Sequence, residues 1–77
     1  MTIMENFIKG LKENIDALEN AEIRPDTNLA SAAGWDSLAA LSAMAFIASE
    51  YGVNLTAREI SAAATPEKIF EIIQSKK

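Results

Sequence analysis

Between Thr2 and Asn20 the apolar residues Met4, Phe7, Ile8, Leu11, Ile15 and Leu18 return at steps of three and four. That spacing lines one face of an α-helix and leaves no room for the two-residue period of a strand. The opposite face carries Glu5, Lys9, Lys12, Glu13 and Asp16, whose alternating signs suit a solvated helix surface. Gly10 is expected to weaken this first helix slightly, because glycine is a poor helix former. Nowhere does a run of four or more residues alternate polar and apolar with β-branched enrichment, so strands are not expected. Helices of this length are marginal alone and must bury their stripes against one another. The chain is therefore expected to be all-α: a small four-helix bundle with three longer helices and one short helix before the last.

The apolar period lapses from about 21 to 35, where Pro25, the turn-forming Asp26-Thr27-Asn28 and Gly34 predict a long loop. Loops beyond about twelve residues are uncommon in compact domains and tend to be functional, which draws interest to the Asp36-Ser37-Leu38 that follows. Asp36 is a good N-cap, and the Ala-, Leu- and Met-rich segment Ser37 to Tyr51 predicts the second helix, with Gly52 as its left-handed stop. Leu38, Leu41, Met44, Ala45, Ile47 and Ala48 keep helical spacing and are its expected stripe. Thr56 with Glu59 has the form of a capping box, predicting a short third helix from Ala57 to about Ala62. Thr65-Pro66 reads as N-cap and first helical residue of a last helix with Ile69, Phe70, Ile72 and Ile73 on its buried face, ending near Gln74.

With 77 residues the chain is expected to be one domain, 1–77. It has no His and no Cys, which removes the imidazole base, the thiolate nucleophile, the structural zinc site and the disulfide. A chain this small also leaves little protein for a deep substrate cleft, so an autonomous enzyme is not expected. The remaining route to one would be a carboxylate pair such as Asp16 with Glu19, which falls on a solvated helix face. A net charge of −4 without clustered Lys and Arg disfavours nucleic acid and anionic lipid. The longest apolar run, Ala43 to Ala48, is six residues, too short to span a bilayer. Glu5 and Asn6 interrupt the N-terminus before a signal-peptide core can form, which makes the cytoplasm the expected location; a monomer is also expected.

Gly34-Trp35-Asp36-Ser37-Leu38, between a long loop and an Ala-rich helix, resembles the attachment site of the acyl carrier proteins. The tripeptide alone is weak, since an Asp or Ser opening a helix is usually a cap. The resemblance gains specificity because it extends over almost the whole chain: the long first helix, the loop with Asp26 and Leu29, Gly34, the serine, then a short and a final helix. It implies that Ser37 bears covalent 4'-phosphopantetheine, derived from coenzyme A and installed by a separate phosphopantetheinyl transferase. The arm's thiol would then carry acyl or aminoacyl groups as thioesters between acyl-loading and acyl-processing enzymes of a lipid, polyketide or related pathway. A phosphodiester at a helix N-terminus lies against free backbone amides and the positive end of the helix dipole, so the position suits the product. No metal site is implied in the chain itself.

The flanking residues carry two readings each. Asp36 is a helix cap or, as the resemblance implies, a contact for the transferase near the metal-bound coenzyme. Leu38 is a first-turn core residue or an exposed contact for the transferase. Trp35 can staple onto Ala40, the favoured reading, or touch the arm. Met44, Ile47, Leu55, Ile60, Ala63, Ile69 and Phe70 are core, or the lining of an interior in which relatives shelter an attached chain. Phe46 lies off the main stripe, exposed to a partner or buried on a second face.

The chain departs from well-studied fatty acid carriers in its second helix, where Ala39, Ser42, Ala48 and Ser49 occupy expected surface positions and Glu50 is the only acid. Through Asp36 there are three basic and seven acidic residues, and from Ser37 onward four of each. Partners reading this helix are expected to rely on packing of small side chains more than on charge steering. This points to a specialised free-standing member of the family. The competing reading is a helical protein-interaction module, or a carrier-like protein without the modification.

Overall fold

The computed structural model describes residues 2–31 and 34–77, and the described residues form four α-helices and no strand. They are α1 (Ile3–Asn14), α2 (Ser37–Tyr51), α3 (Ala57–Ala63) and α4 (Pro66–Ser75). Helix α1 packs on α2 and α4, and α3 bridges α2 and α4, closing a bundle around one core. None of these helices is long and apolar enough to cross a membrane.

The local signals act as their chemistry requires. Thr2 caps α1 in a full capping box with Glu5, and Thr56 does the same for α3 with Glu59. The Thr65 hydroxyl accepts from the Lys68 amide with Pro66 in the first turn, and Gly52 ends α2 at φ 67°.

Helix α1 is shorter than its periodicity. It ends at Asn14, whose side-chain amide donates to the Gly10 carbonyl at 2.8 Å. Ile15 is extended, and a 3-10 turn follows over Asp16–Leu18. Ile15 and Leu18 are still buried, because a three-residue step is common to both helix types, so the apolar pattern runs through the break without marking it. The long loop is likewise tied down: Leu29 opens a 3-10 turn, Leu29–Ser31, with its side chain in the core. Its amide donates to the Ala64 carbonyl at 2.7 Å, and the Glu67 amide donates to the Pro25 carbonyl at 3.0 Å. Ala64 holds φ 67° at the end of α3 to make that connection.

Helix α2 turns a different face inward from the one expected. Ala39, Ala40, Ala43, Phe46 and Ile47 are buried, whereas Leu38 and Leu41 are 69% and 57% exposed and Ala45 is exposed. Both stripes have helical spacing, and a helix apolar nearly all round does not announce which one its neighbours will cover. Ala39, expected on the surface, is therefore core; Ser42 and Ala48 are half-buried, and of those four positions Ser49 is the exposed one.

The interior is apolar and mostly branched aliphatic, with Phe7, Leu11, Ile15, Leu18, Leu29, Ile47, Ile60, Ile69 and Ile73 at 0–2% exposure. No described polar or charged residue is buried. Phe46 is buried, not exposed to a partner: it stacks on Phe7 at 6.1 Å between ring centroids, and Tyr51 and Phe70 lie 5.7 and 5.3 Å from the same Phe7 ring. Burying a ring of this size contributes about 1.5–3 kcal/mol, so Phe7 at the centre of the group is a principal tie between α1, α2 and α4. Gly10 has a larger part than a weak helix former: it lies beneath the Phe46 ring, where a side chain would collide.

Candidate functional site

The chain reverses at Gly34, whose φ of 84° is open to glycine at no steric cost. Trp35 then lies half-buried against the core, and Asp36 adopts an extended backbone at φ −150°, ψ −169°, as the N-cap of α2. One Asp36 carboxylate oxygen, Oδ1, accepts from the Ala39 amide at 3.0 Å, and its carbonyl accepts from the Ala40 amide at 3.1 Å. Ser37 is thereby the first residue of α2, and both it and Leu38 are exposed.

This geometry sorts the first-turn amides. The first four amides of a helix lack intrahelical partners, and here Asp36 takes that of Ala39. The Ser37 and Leu38 amides are left at the positive end of the helix dipole, beside an exposed hydroxyl. An anion joined to the exposed Ser37 oxygen would lie close to these N–H donors. A phosphodiester is an anion of the kind that such a donor set suits.

Beside the serine runs a cleft of about 190 Å³ between the end of α1 and the start of α2, lined in part by Asn14, Asp16, Asp36, Leu38 and Ser42. Its described lining includes two carboxylates and no cation. With no His or Cys in the sequence, Ser37 has no partner of its own to make it a nucleophile. Asp16 and Glu19 are exposed, without the burial that sets acid and base apart in a catalytic pair. No group of three or more metal-ligating residues gathers among the described residues.

The structure thus brings Asp36, Ser37 and Leu38 together at one exposed helix start. It gives the cap to Asp36 as an observed contact, exposes Leu38, and places Trp35 partly in the core. What sequence reasoning missed is Leu41, assigned to the buried stripe but standing in solvent one turn after Leu38. A signal was available in the neighbouring alanines: Ala39, Ala40 and Ala43 are small enough for α1 to approach α2 closely, whereas leucines there would hold it away.

Residues 8–73 match the family model described as the phosphopantetheine attachment site. No curated protein and no solved structure matches the chain. The matched span takes in all of α2, α3 and the long loop and most of α1 and α4, the same elements that bring the exposed serine to the helix start. The chain therefore belongs to the phosphopantetheine attachment family of carrier domains, which hold 4'-phosphopantetheine covalently and catalyse no reaction themselves.

Proposed function

We propose that Ser37 is the residue that bears phosphopantetheine, that 1–77 acts as one carrier domain, and that it shuttles thioester-bound acyl or aminoacyl groups between the enzymes of a lipid, polyketide or related pathway. The observation that carries this reading is the exposed Ser37 hydroxyl at the first position of α2, beside two amides with no intrahelical partner. A transferase would supply the base that the chain lacks; the serine oxygen forms a bond to phosphorus, its proton leaves, and the nucleotide half of coenzyme A departs as adenosine bisphosphate. When bound, the arm supplies the thiol on which cargo is carried. The Ser37 and Leu38 amides would hold the phosphate of the arm at the helix start, which the Asp36 cap keeps formed.

Partner enzymes on this reading meet α2 through Leu38 and Leu41, with Ser37 one residue before the first leucine and the small Ser42 and Ala45 next to them. Glu50, at the far end, is the one charged side chain within α2, so desolvation of leucine replaces charge steering as the source of affinity. The protein acts as a monomer in the cytoplasm.

The test is the intact mass before and after incubation with coenzyme A, magnesium and a broad-specificity phosphopantetheinyl transferase, with Ser37→Ala alongside. A gain of one phosphopantetheinyl group in the wild type alone is expected. A sample shown to be folded and unmodified that gains nothing with several transferases would favour the interaction-module reading instead.

A further inference from the structure

We infer that the cargo of this carrier is a short or polar acyl group that rides in solvent, and that the bundle interior does not take in an attached chain. The inference rests on the carrier reading above and adds the class of cargo to it.

The interior that would have to receive a chain is already filled by stiff side chains. Four rings close its far half: Phe7 of α1, Phe46 and Tyr51 of α2, and Phe70 of α4. Phe7 has the other three centroids within 5.3–6.1 Å, and Tyr51 lies 6.0 Å from Phe46 and 5.9 Å from Phe70, so each ring is held by at least two others. Three of these contacts are edge-on at 69–88°, an arrangement that fixes ring orientation as well as position. Phe46 stands nine residues beyond Ser37, about 13 Å along the helix at 1.5 Å per residue. Any chain entering from the serine end meets the rings at that depth.

The near half offers no more room. There α2 presents only Ala39, Ala40 and Ala43, and the space that larger residues would occupy is taken by Leu11, Ile15, Leu18 and Leu29, all at 0–1% exposure. Branched aliphatic side chains in such packing have few rotamers to yield. Met44, the most adaptable side chain in α2, is half-buried at the margin of this core.

The open space near the site is small and outside the bundle. The cleft beside Ser37 holds about 190 Å³ and mixes Asn14, Asp16, Asp36 and Ser42 with apolar Ile15 and Leu38, too little room for a long chain. The larger groove, at about 990 Å³ along α1 and the loop, is lined by Met4, Ile8 and Ile23 as well as Lys9, Lys12 and Glu13, and none of its described lining residues belongs to α2. A long hydrocarbon on Ser37 finds no receiving surface of its own size beside the serine, whereas a small or hydrogen-bonding acyl group loses nothing by remaining in water.

The test loads the wild-type chain with acetyl, hexanoyl and dodecanoyl groups from the corresponding coenzyme A thioesters and measures two properties of each product: the rate of thioester cleavage by hydroxylamine, and Tm. If only an exposed thioester reacts, tenfold protection requires that nine-tenths of the molecules shelter it. Cleavage rates within about twofold across the series, with Tm independent of chain length, are expected. A dodecanoyl product cleaved tenfold or more slowly than the acetyl product, with a raised Tm, overturns the inference and leaves the carrier reading intact. Where the wild type gives no protection, Phe70→Leu, which removes one ring while keeping an apolar side chain, should allow dodecanoyl protection to appear; equal rates in that variant would overturn ring packing as the cause. Failure of the wild type to load at all removes the carrier reading and this inference with it.

Discussion

Gly10 lies in the middle of α1, where helix propensity alone says that alanine should stabilise the protein by about 0.5–1 kcal/mol. The structure predicts the opposite sign. A Cβ built on Gly10 falls 2.6 Å from Cε1 and 3.2 Å from Cε2 of Phe46, with Cζ in contact as well. The ring cannot yield inward, because Phe7 stacks on it at 6.1 Å and Tyr51 meets it edge-on at 6.0 Å, so relief comes only by prising α1 from α2 or by pushing the ring toward solvent. Overpacking of this kind costs about 1–3 kcal/mol; less the propensity gain of about 0.5–1 kcal/mol, Gly10→Ala should destabilise by about 0–2.5 kcal/mol, centred on about 1 kcal/mol. A domain of this size has about 4–12 kcal/mol in hand, so the variant should stay folded, with Tm lower by roughly 4–8 °C at the central value. Urea unfolding followed by helical circular dichroism measures the difference. The same change in a Phe46→Leu background, which lacks all three clashing ring atoms, should stabilise by about 0.5–1 kcal/mol. A Gly10→Ala variant more stable than the wild type would refute the reasoning, as would an equal loss in both backgrounds.

Asp36→Asn keeps a side-chain acceptor for the Ala39 amide and should unfold like the wild type, whereas Asp36→Ala should lose about 1 kcal/mol of stability. If Asp36 also meets the transferase through its charge, Asp36→Asn will be modified at least tenfold more slowly; equal rates for it and the wild type would confine the residue to capping. Leu38→Ser with Leu41→Ser should leave stability within about 0.5 kcal/mol, since both side chains are exposed, yet slow transferase modification with little dependence on salt. An unchanged rate, or a steep salt dependence in the wild type, would sink that docking face. Glu59 is held below its ordinary value of 4.5 by hydrogen bonds from the Thr56 backbone amide and from Lys76, so its charged form contributes stability at neutral pH that is lost as pH falls through the lowered value. Glu59→Gln, which preserves the capping box, should therefore lie slightly below the wild type in Tm at neutral pH and converge with it in acid; a gap that persists in acid would refute the assignment.

Much of this molecule is local chemistry and was legible as such. Capping of α2, α3 and α4 by Asp36, Thr56 and Thr65, and the stop at Gly52, depend on hydrogen bonds within a few residues of each other, so the order of residues contains them. The same holds for the Asp36-Ser37-Leu38 arrangement, because a helix start exposes its amides whatever packs behind it. The end of α1 was not legible: Ile15 and Leu18 fit an α-helix and a 3-10 turn equally, and the choice is made by the packing that buries both. The loop carried turn residues in its sequence, but not its attachment through Leu29 and Pro25 to the α3–α4 junction more than thirty positions away.

The sequence by itself determined the helical class, where three of the four helices begin and nearly where they end, and an unbased serine at the start of α2. Only the tertiary structure decided which side of α2 is the inside. Two stripes of that helix satisfy the same period, one of alanines with Phe46 and one of leucines, and single-helix amphipathicity cannot rank them. Packing against α1 does: Gly10 makes the recess that Phe46 fills, the alanines allow close approach, and Leu38 and Leu41 are left in solvent beside Ser37.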